Sequence, residues 1–404
     1  MSRPLEGIKV VEVAMWAFVP ACGGVLADLG ASVIKIEPPD GDPIRGLTIG
    51  AAPPGEHGFI LSWENYNRGK RAMTLDLRQD AGREVLYKLI ADADVFLTNL
   101  LPRARKRMQI DIDDIKSRNP GIIYAVGSGT GRQGPDGDKG GYDTLSFWHR
   151  GSVSSQVTPD EQEYPIGLPC GAFGDVTTGA MLAGGICAAI AQRAMTGHAS
   201  VVDASLLNSA MWSMQRAITQ ASLSQVKTFP KPSRRSVPNV LVNNYKTSDD
   251  RIVSLCMLQG QRYWPNLCEV MGRPDLAQDP RFATEKDRNE NIEACVAEFD
   301  AMFAAKPLDE WREILSRQDG QWDVVQLPGE LEFDPQVEAN GYMQEVDYGD
   351  GRSLKMVSTP MQFDGAALPA APAPAFNANG DEILAELGYS EEEIINLKIA
   401  NVVF

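Results

Sequence analysis

The chain has 404 residues, 43% of them hydrophobic and 23% charged, the balance of a soluble globular protein and enough length for two domains or one large domain with an insertion. Acidic side chains outnumber basic ones by 54 to 38, a formal net charge of −16, which argues against general nucleic-acid binding. No uncharged apolar run reaches the ~18 residues of a membrane span and the N-terminus carries no apolar signal core, so a cytoplasmic protein with no membrane partner is expected.

The first ~130 residues alternate strand and helix patterns, as βαβ units do. Residues 8–13 form a short β-branched run. Pro20 then stands where a first helical position would be, and Gly30 where a glycine would end that helix. Residues 32–36, 71–77, 95–98 and 122–126 read as further strands. Between them 81–91 is helical, with Val85, Leu86, Leu89 and Ile90 on one face. This alternation predicts an α/β fold with a mostly parallel sheet covered on both faces. Residues 127–142 form a long Gly/Asp loop in which Gly129, Gly131 and Gly134 match the dinucleotide fingerprint by letter. The turn at 135–138 follows, in place of the helix that would hold a pyrophosphate. Residues 176–196 are helix-length and apolar almost all round, as a buried helix is.

The proline-rich stretch 230–238 is a break. Residues 244–257 read as strand, turn and strand, and helical patterns follow through Trp311 and Leu315. A smaller α+β domain is expected over 230–328, with 1–229 and 329–404 forming the large one. Residues 366–376, rich in Ala and Pro, read as an extended linker. A helical pattern over 381–397 is interrupted at 388–390, where Ser390 caps a second helix whose first turn holds Glu391, Glu392 and Glu393.

Asp175 is the residue with the most to say about chemistry. It follows a Gly-rich approach and opens the apolar segment. Asp is a favoured helix N-cap, and a carboxylate at a helix start is also an exposed oxygen nucleophile; the residues alone leave both readings open. Arg103, Arg105, Lys106 and Arg107 concentrate positive charge after Asn99, either as a phosphate-binding patch or as a solvated helix face. A Walker A sequence and a G-x-S-x-G elbow are both absent. The three histidines leave little for a metal site, so none is expected, and the six scattered cysteines read as reduced thiols.

Residues 4–13, Pro20-Ala-Cys, 26–37, Gly41-Asp-Pro-Ile-Arg45 and 67–77 closely resemble the family III CoA-transferases, the group of formyl-CoA transferase, carnitine CoA-transferase and the α-methylacyl-CoA racemases. The likeness continues at Gly134-Pro135, Gly141-Tyr-Asp143, Gly174-Asp175, Gly179, 196–205, 279–282, 334–336 and 383–390. It covers essentially the whole chain. It implies a Rossmann-like large domain built from both chain ends, a small domain, and two subunits interlocked as a homodimer. It implies transfer of CoA from an acyl-CoA donor to a carboxylic acid through an aspartyl-CoA thioester on Asp175, with CoA as substrate and no permanently bound cofactor. Asn99 and Arg107 match CoA-contacting positions; Arg105, Lys139 and Tyr142 are further expected contacts, and Arg45 and Lys70-Arg71 are weaker ones. Glycines of 127–141 and 171–174 are expected to supply oxyanion donors.

The chain also departs from the pattern. Pro38 replaces an adenosine-contacting Arg of formyl-CoA transferase, and Ala17 replaces a Gln near its substrate, flanked here by Trp16 and Phe18. Those three residues are either a pocket for a larger, more apolar acid or simply core. Racemases carry His where this chain has Tyr142, a poor base at neutrality, and His149 reads as structural. A 2-methylacyl-CoA racemase and a non-catalytic acyl-CoA binder remain the alternatives.

Overall fold

The computed structural model describes residues 3–46, 58–231 and 233–404. Two compact units emerge, one reaching to Lys227 and resuming at Pro335–Phe404, the other Thr228–Asp334.

The first unit is built on six parallel strands: β1 (Lys9–Val13), β2 (Ser32–Glu37), β3 (Arg71–Thr74), β4 (Val95–Thr98), β5 (Ile123–Ser128) and β6 (Val201–Ser205), in the order β3-β2-β1-β4-β5-β6. The five expected strands are all present; β6 is additional. Its edge position leaves it half-exposed, so it lacks the continuous apolar run by which the others stand out. Successive side chains feed opposite cores, as strand geometry requires. Val10, Val33, Val95, Leu97, Ile123 and Ala125 enter one cluster, while Val11, Ile34, Phe96, Tyr124 and Val126 enter the other.

The helices are α1 (Phe18–Asp28), α2 (Leu61–Asn67), α3 (Asp80–Ala91), α4 (Pro102–Met108), α5 (Ile112–Arg118), α6 (Val153–Val157), α7 (Phe173–Thr196), α8 (Leu206–Ser213) and α9 (Gln215–Ser224). Helix α1 begins two residues before Pro20, and its mid-helix Gly23 is required because a Cβ there would meet the Glu12 carboxylate at 1.9 Å. Helix α7, of 24 residues, could cross a membrane by length and hydropathy. Here Leu182, Ala183, Ile186 and Ala189 lie in one core cluster with Phe18, Val19, Cys22 and Leu26 of α1.

The chain's C-terminal helices, Gly380–Glu386 and Glu391–Ile399, cover the opposite face through Ile383, Leu384 and Ile394. Ser390 caps the last helix in a reciprocal box with Glu393. At the carboxyl end of the sheet a buried ionic cluster replaces apolar packing. Lys35 Nζ contacts Glu12 Oε1 at 3.1 Å and Asp42 Oδ2 at 2.9 Å, and Lys70 Nζ reaches Glu12 Oε2 at 2.8 Å. Burial lowers the Lys70 ammonium to about 8, although Glu12 opposes the shift.

The second unit has its own antiparallel sheet of β7 (Val242–Lys246), β8 (Ile252–Cys256) and the short β9 (Trp322–Val324). Its core is aromatic: Tyr245 stacks on Phe303 with centroids 5.0 Å apart, and Trp264 on Phe299 at 5.7 Å.

Candidate active site

In this strand order the crossovers diverge between β1 and β4, where open α/β sheets present a crevice at their carboxyl ends. The segments leaving β1, β4, β5 and β6, together with the first turn of α7, line a cavity of about 270 Å3 there. Its wall includes Trp16, Phe18, Asn99, Arg105, Lys139, Tyr142 and Asp175.

Asp175 is the third residue of α7, inside the first turn. The N-cap is Ala172, at φ 62°, with no side-chain cap bond, so Asp175 is not the cap. The capping interaction comes from another segment. Asp143, buried at the end of the Gly-rich loop, accepts the Gly174 N–H through Oδ2 at 2.9 Å. Gly174 is required at that contact, because a Cβ would meet Phe147 at 2.3 Å and Asp143 Oδ1 at 2.5 Å. The Asp175 carboxylate, half-buried on the cavity wall, is pushed up to about 7, by burial first and by the Asp143 charge second. This outweighs the helix dipole, which favours an anion there. The Gly174 N–H is committed to Asp143 and the Gly137 N–H to the Gly134 carbonyl, so the loop glycines left on the wall as candidate donors are Gly129, Gly140 and Gly141.

The loop after β1 is clamped from two sides. Asn99 Oδ1 accepts the Met15 N–H at 3.0 Å and Asn99 Nδ2 donates to the Met15 carbonyl at 2.6 Å. Asp42 Oδ1 accepts the Trp16 N–H at 3.0 Å. Trp16 is thereby held at φ 70°, a conformation bulky side chains seldom adopt. Its ring meets Tyr142 edge-on, centroids 5.7 Å apart. Phe18 also reaches the wall. Ala17 does not; it is buried with Ile44 and Trp63.

The expected cations are spread more widely. Arg105 is on the wall, but its guanidinium is tied to Asp111 at 3.0 Å and to the Leu100 carbonyl at 2.9 Å. Arg107 lines a second cavity of about 220 Å3, with Pro38, Asp76 and Arg78. Met15 and Leu100 border both cavities. Arg45 pairs with Glu37 and lies 3.3 Å from the Trp63 ring centre, Lys70 is buried on Glu12, and Arg71 pairs with Glu382 and Glu386. His149, exposed and bonded to Ser154 at 2.9 Å, is off the wall. Among the described residues no carboxylate, thiol and imidazole grouping could hold a metal ion.

A sequence model described as CoA-transferase family III matches residues 5–380. The chain belongs to CoA-transferase family III. It is 34% identical to the (R)-2-hydroxy-4-methylpentanoate CoA-transferase of Clostridioides difficile, over 99% of each chain. It is 31% identical to the cinnamoyl-CoA:phenyllactate CoA-transferase of Clostridium sporogenes, over 98% of this chain and 96% of that one. A solved CAIB/BAIF family protein from Brucella suis superposes with a TM-score of 0.82 at 29% identity, covering 96% of this chain and 100% of that one. The protein is thus an enzyme of the CoA-transferase class acting on CoA thioesters. Sequence reasoning missed two polar residues of this candidate site. Arg132 is on the wall, paired with Asp203 at 3.6 Å; its only signal was a cation in a Gly-rich loop after a strand. Asp143 lies inside the Gly141-Tyr-Asp143 motif, with no local hint that it would cap a helix beginning at Phe173.

Proposed function

We propose that this enzyme transfers CoA from an acyl-CoA donor to a carboxylic acid with a bulky apolar side chain, through an aspartyl-CoA thioester on Asp175. The observation that carries this reading is an Asp175 carboxylate on a cavity wall, excluded from capping and raised to about 7. The carboxylate oxygen attacks the donor thioester carbonyl, the C–S bond breaks, and CoA leaves as thiolate, giving a mixed anhydride of the donor acid and Asp175. The sulfur attacks the Asp175 carbonyl carbon and expels the donor acid as carboxylate. The acceptor carboxylate then attacks the aspartyl thioester, and the same two steps run in reverse. One thioester replaces another, so no proton or redox equivalent is consumed, and the retained thiolate keeps a high effective concentration.

CoA is a substrate here, with no permanently bound cofactor. Its adenine end fits the Arg107 cavity and its thioester end the Asp175 cavity, joined past Met15 and Leu100. Asn99 acts mainly by holding Met15, while Lys139 and Tyr142 face the thiol-bearing arm. The aromatic wall of Trp16, Phe18 and Tyr142 favours branched or aryl acids, in keeping with the acids named for the two relatives. The working form is a homodimer, supported by apolar side chains left exposed on α7, α8 and α9, among them Met181, Trp212 and Leu223. Six free cysteines suit a cytoplasmic setting.

The test is mass spectrometry of the Asp175 peptide after incubation with a panel of acyl-CoA donors and quenching with hydroxylamine or borohydride. A donor-dependent adduct on Asp175 is expected. An unmodified Asp175, with solvent deuterium entering the α-carbon of a 2-methylacyl-CoA, would instead mean racemase chemistry.

A further inference from the structure

A carboxylate nucleophile near a helix start faces a conflict. The free N–H groups of the first turn attract it, and each such bond lowers its basicity and turns it away from substrate. In this chain that position is already taken. Asp143 is 5% exposed, its Oδ2 bonded to the Gly174 N–H at 2.9 Å. Its Oδ1 is buried without a hydrogen-bond partner. The Asp143 charge is favoured only by the backbone N–H groups of Gly174 and Asp175, against the cost of burial. A purely structural cap would avoid a carboxylate oxygen buried this deeply without a partner, since Ser or Asn would cap as well.

We propose that Asp143 is a positioning residue for Asp175: it occupies the start of α7 in its place, leaves the Asp175 carboxylate free toward the cavity, and holds a fixed negative charge beside it. This rests on the reading of Asp175 as the nucleophile. The consequence is chemical. A more basic carboxylate is the stronger nucleophile once ionised, and reactivity at a working pH is greatest when the pKa lies near it.

Other groups approach Asp175 or its cavity. Tyr66 of α2 is pushed up to about 12, by burial first and the Asp175 charge second, and stays neutral. Cys170 lies on the approach to α7, and Arg105, Arg132, Lys139 and Tyr142 reach the cavity wall. Among the described residues Asp143 is the one charged group that perturbs Asp175, burial apart. Glycine at 174 completes the device, because a Cβ there would displace Asp143 Oδ1.

The experiment is the pH dependence of adduct formation at Asp175, followed by single-turnover mass spectrometry in wild type, Asp143→Asn and Asp175→Asn. Asp143→Asn keeps an acceptor oxygen for Gly174 and removes the charge. Its acid limb should move down by about one pH unit or more, with a plateau rate about tenfold lower. An unmoved midpoint, whatever happens to the plateau, overturns the proposal. An adduct that survives in Asp175→Asn sinks the nucleophile assignment instead, so the two failures are distinguishable. Should Asp143→Asn not fold, carbon NMR titration of wild-type protein labelled with 13C-aspartate tests the same point. Asp143 is expected to titrate below Asp175, and the reverse order overturns the idea.

Discussion

Half-buried beside a second carboxylate, Asp175 resists ionisation, and both its chemistry and its effect on stability follow from that. Transfer should rise with pH through about 7 as the carboxylate ionises, with burial the main cause and Asp143 the second; initial rates from pH 5 to 9 at saturating substrate check this. If Asp175 is the nucleophile proposed above, Asp175→Asn should lower transfer by ~10³-fold or more. The stability effect has the opposite sense. Unfolded, Asp175 titrates near ~4; folded, it titrates at about 7. The folded state holds the proton more tightly, so the contribution to stability is complete below ~pH 4 and lost as pH rises through 7. Asp175→Asn should therefore raise Tm at pH 8, on the order of 2 °C, and change it little near pH 4. An equal gain at both pH values would disprove the link to ionisation.

At the element scale two devices hold the site: the clamped loop after β1 and the close crossing of α1 with α7. Asn99→Ala removes both bonds to Met15, a loss of on the order of 1–2 kcal/mol, and leaves Trp16, at φ 70°, held by the Asp42 bond alone. Preference for bulky acids over acetate should fall, which competition between the two acceptors measures. At the crossing, a Cβ on Gly179 would lie 2.7 Å from the Phe18 carbonyl oxygen and 3.0 Å from the Cys22 nitrogen. Backbone cannot yield as a flexible side chain would, so Gly179→Ala should cost about 1–3 kcal/mol in urea titrations and shift the start of α7 away from Phe18. A melt like that of wild type would show that the helices are less tightly held.

Across the whole molecule, two features are testable without reference to catalysis. Trp212 and Leu223 are 64% and 83% exposed, and large apolar side chains left in water on neighbouring helices mark a partner surface. Sedimentation should give a two-chain species, and Trp212→Asp with Leu223→Asp should shift it toward one chain. The unit Thr228–Asp334 has its own sheet and aromatic core. Expressed alone, residues 228–334 should melt cooperatively, a size and composition that independent domains share; a non-cooperative melt would mean its core depends on the rest of the chain.

Much of the fold was legible because local patterns agree with it. β-branched runs became central strands, Val85, Leu86, Leu89 and Ile90 became the buried face of α3, and Ser390 capped the last helix. Strand β6 was not legible, since an edge strand needs no continuous apolar run. The site was legible in its members more than in its wiring. Asp175, Trp16, Asn99 and Tyr142 stand out in sequence and share one cavity. That Asp143 would cap α7, that Asn99 would grip Met15, that Ala17 would turn into the core and that Arg107 would line a different cavity depended on contacts between segments far apart in the chain. The sequence by itself determined the family, the parallel sheet and the candidate nucleophile, because these rest on periodicity and on motifs a few residues long. Only the tertiary structure decided which carboxylate bonds the helix start and which lies on the cavity wall, because burial and the field of a neighbouring charge exist only once the chain has folded.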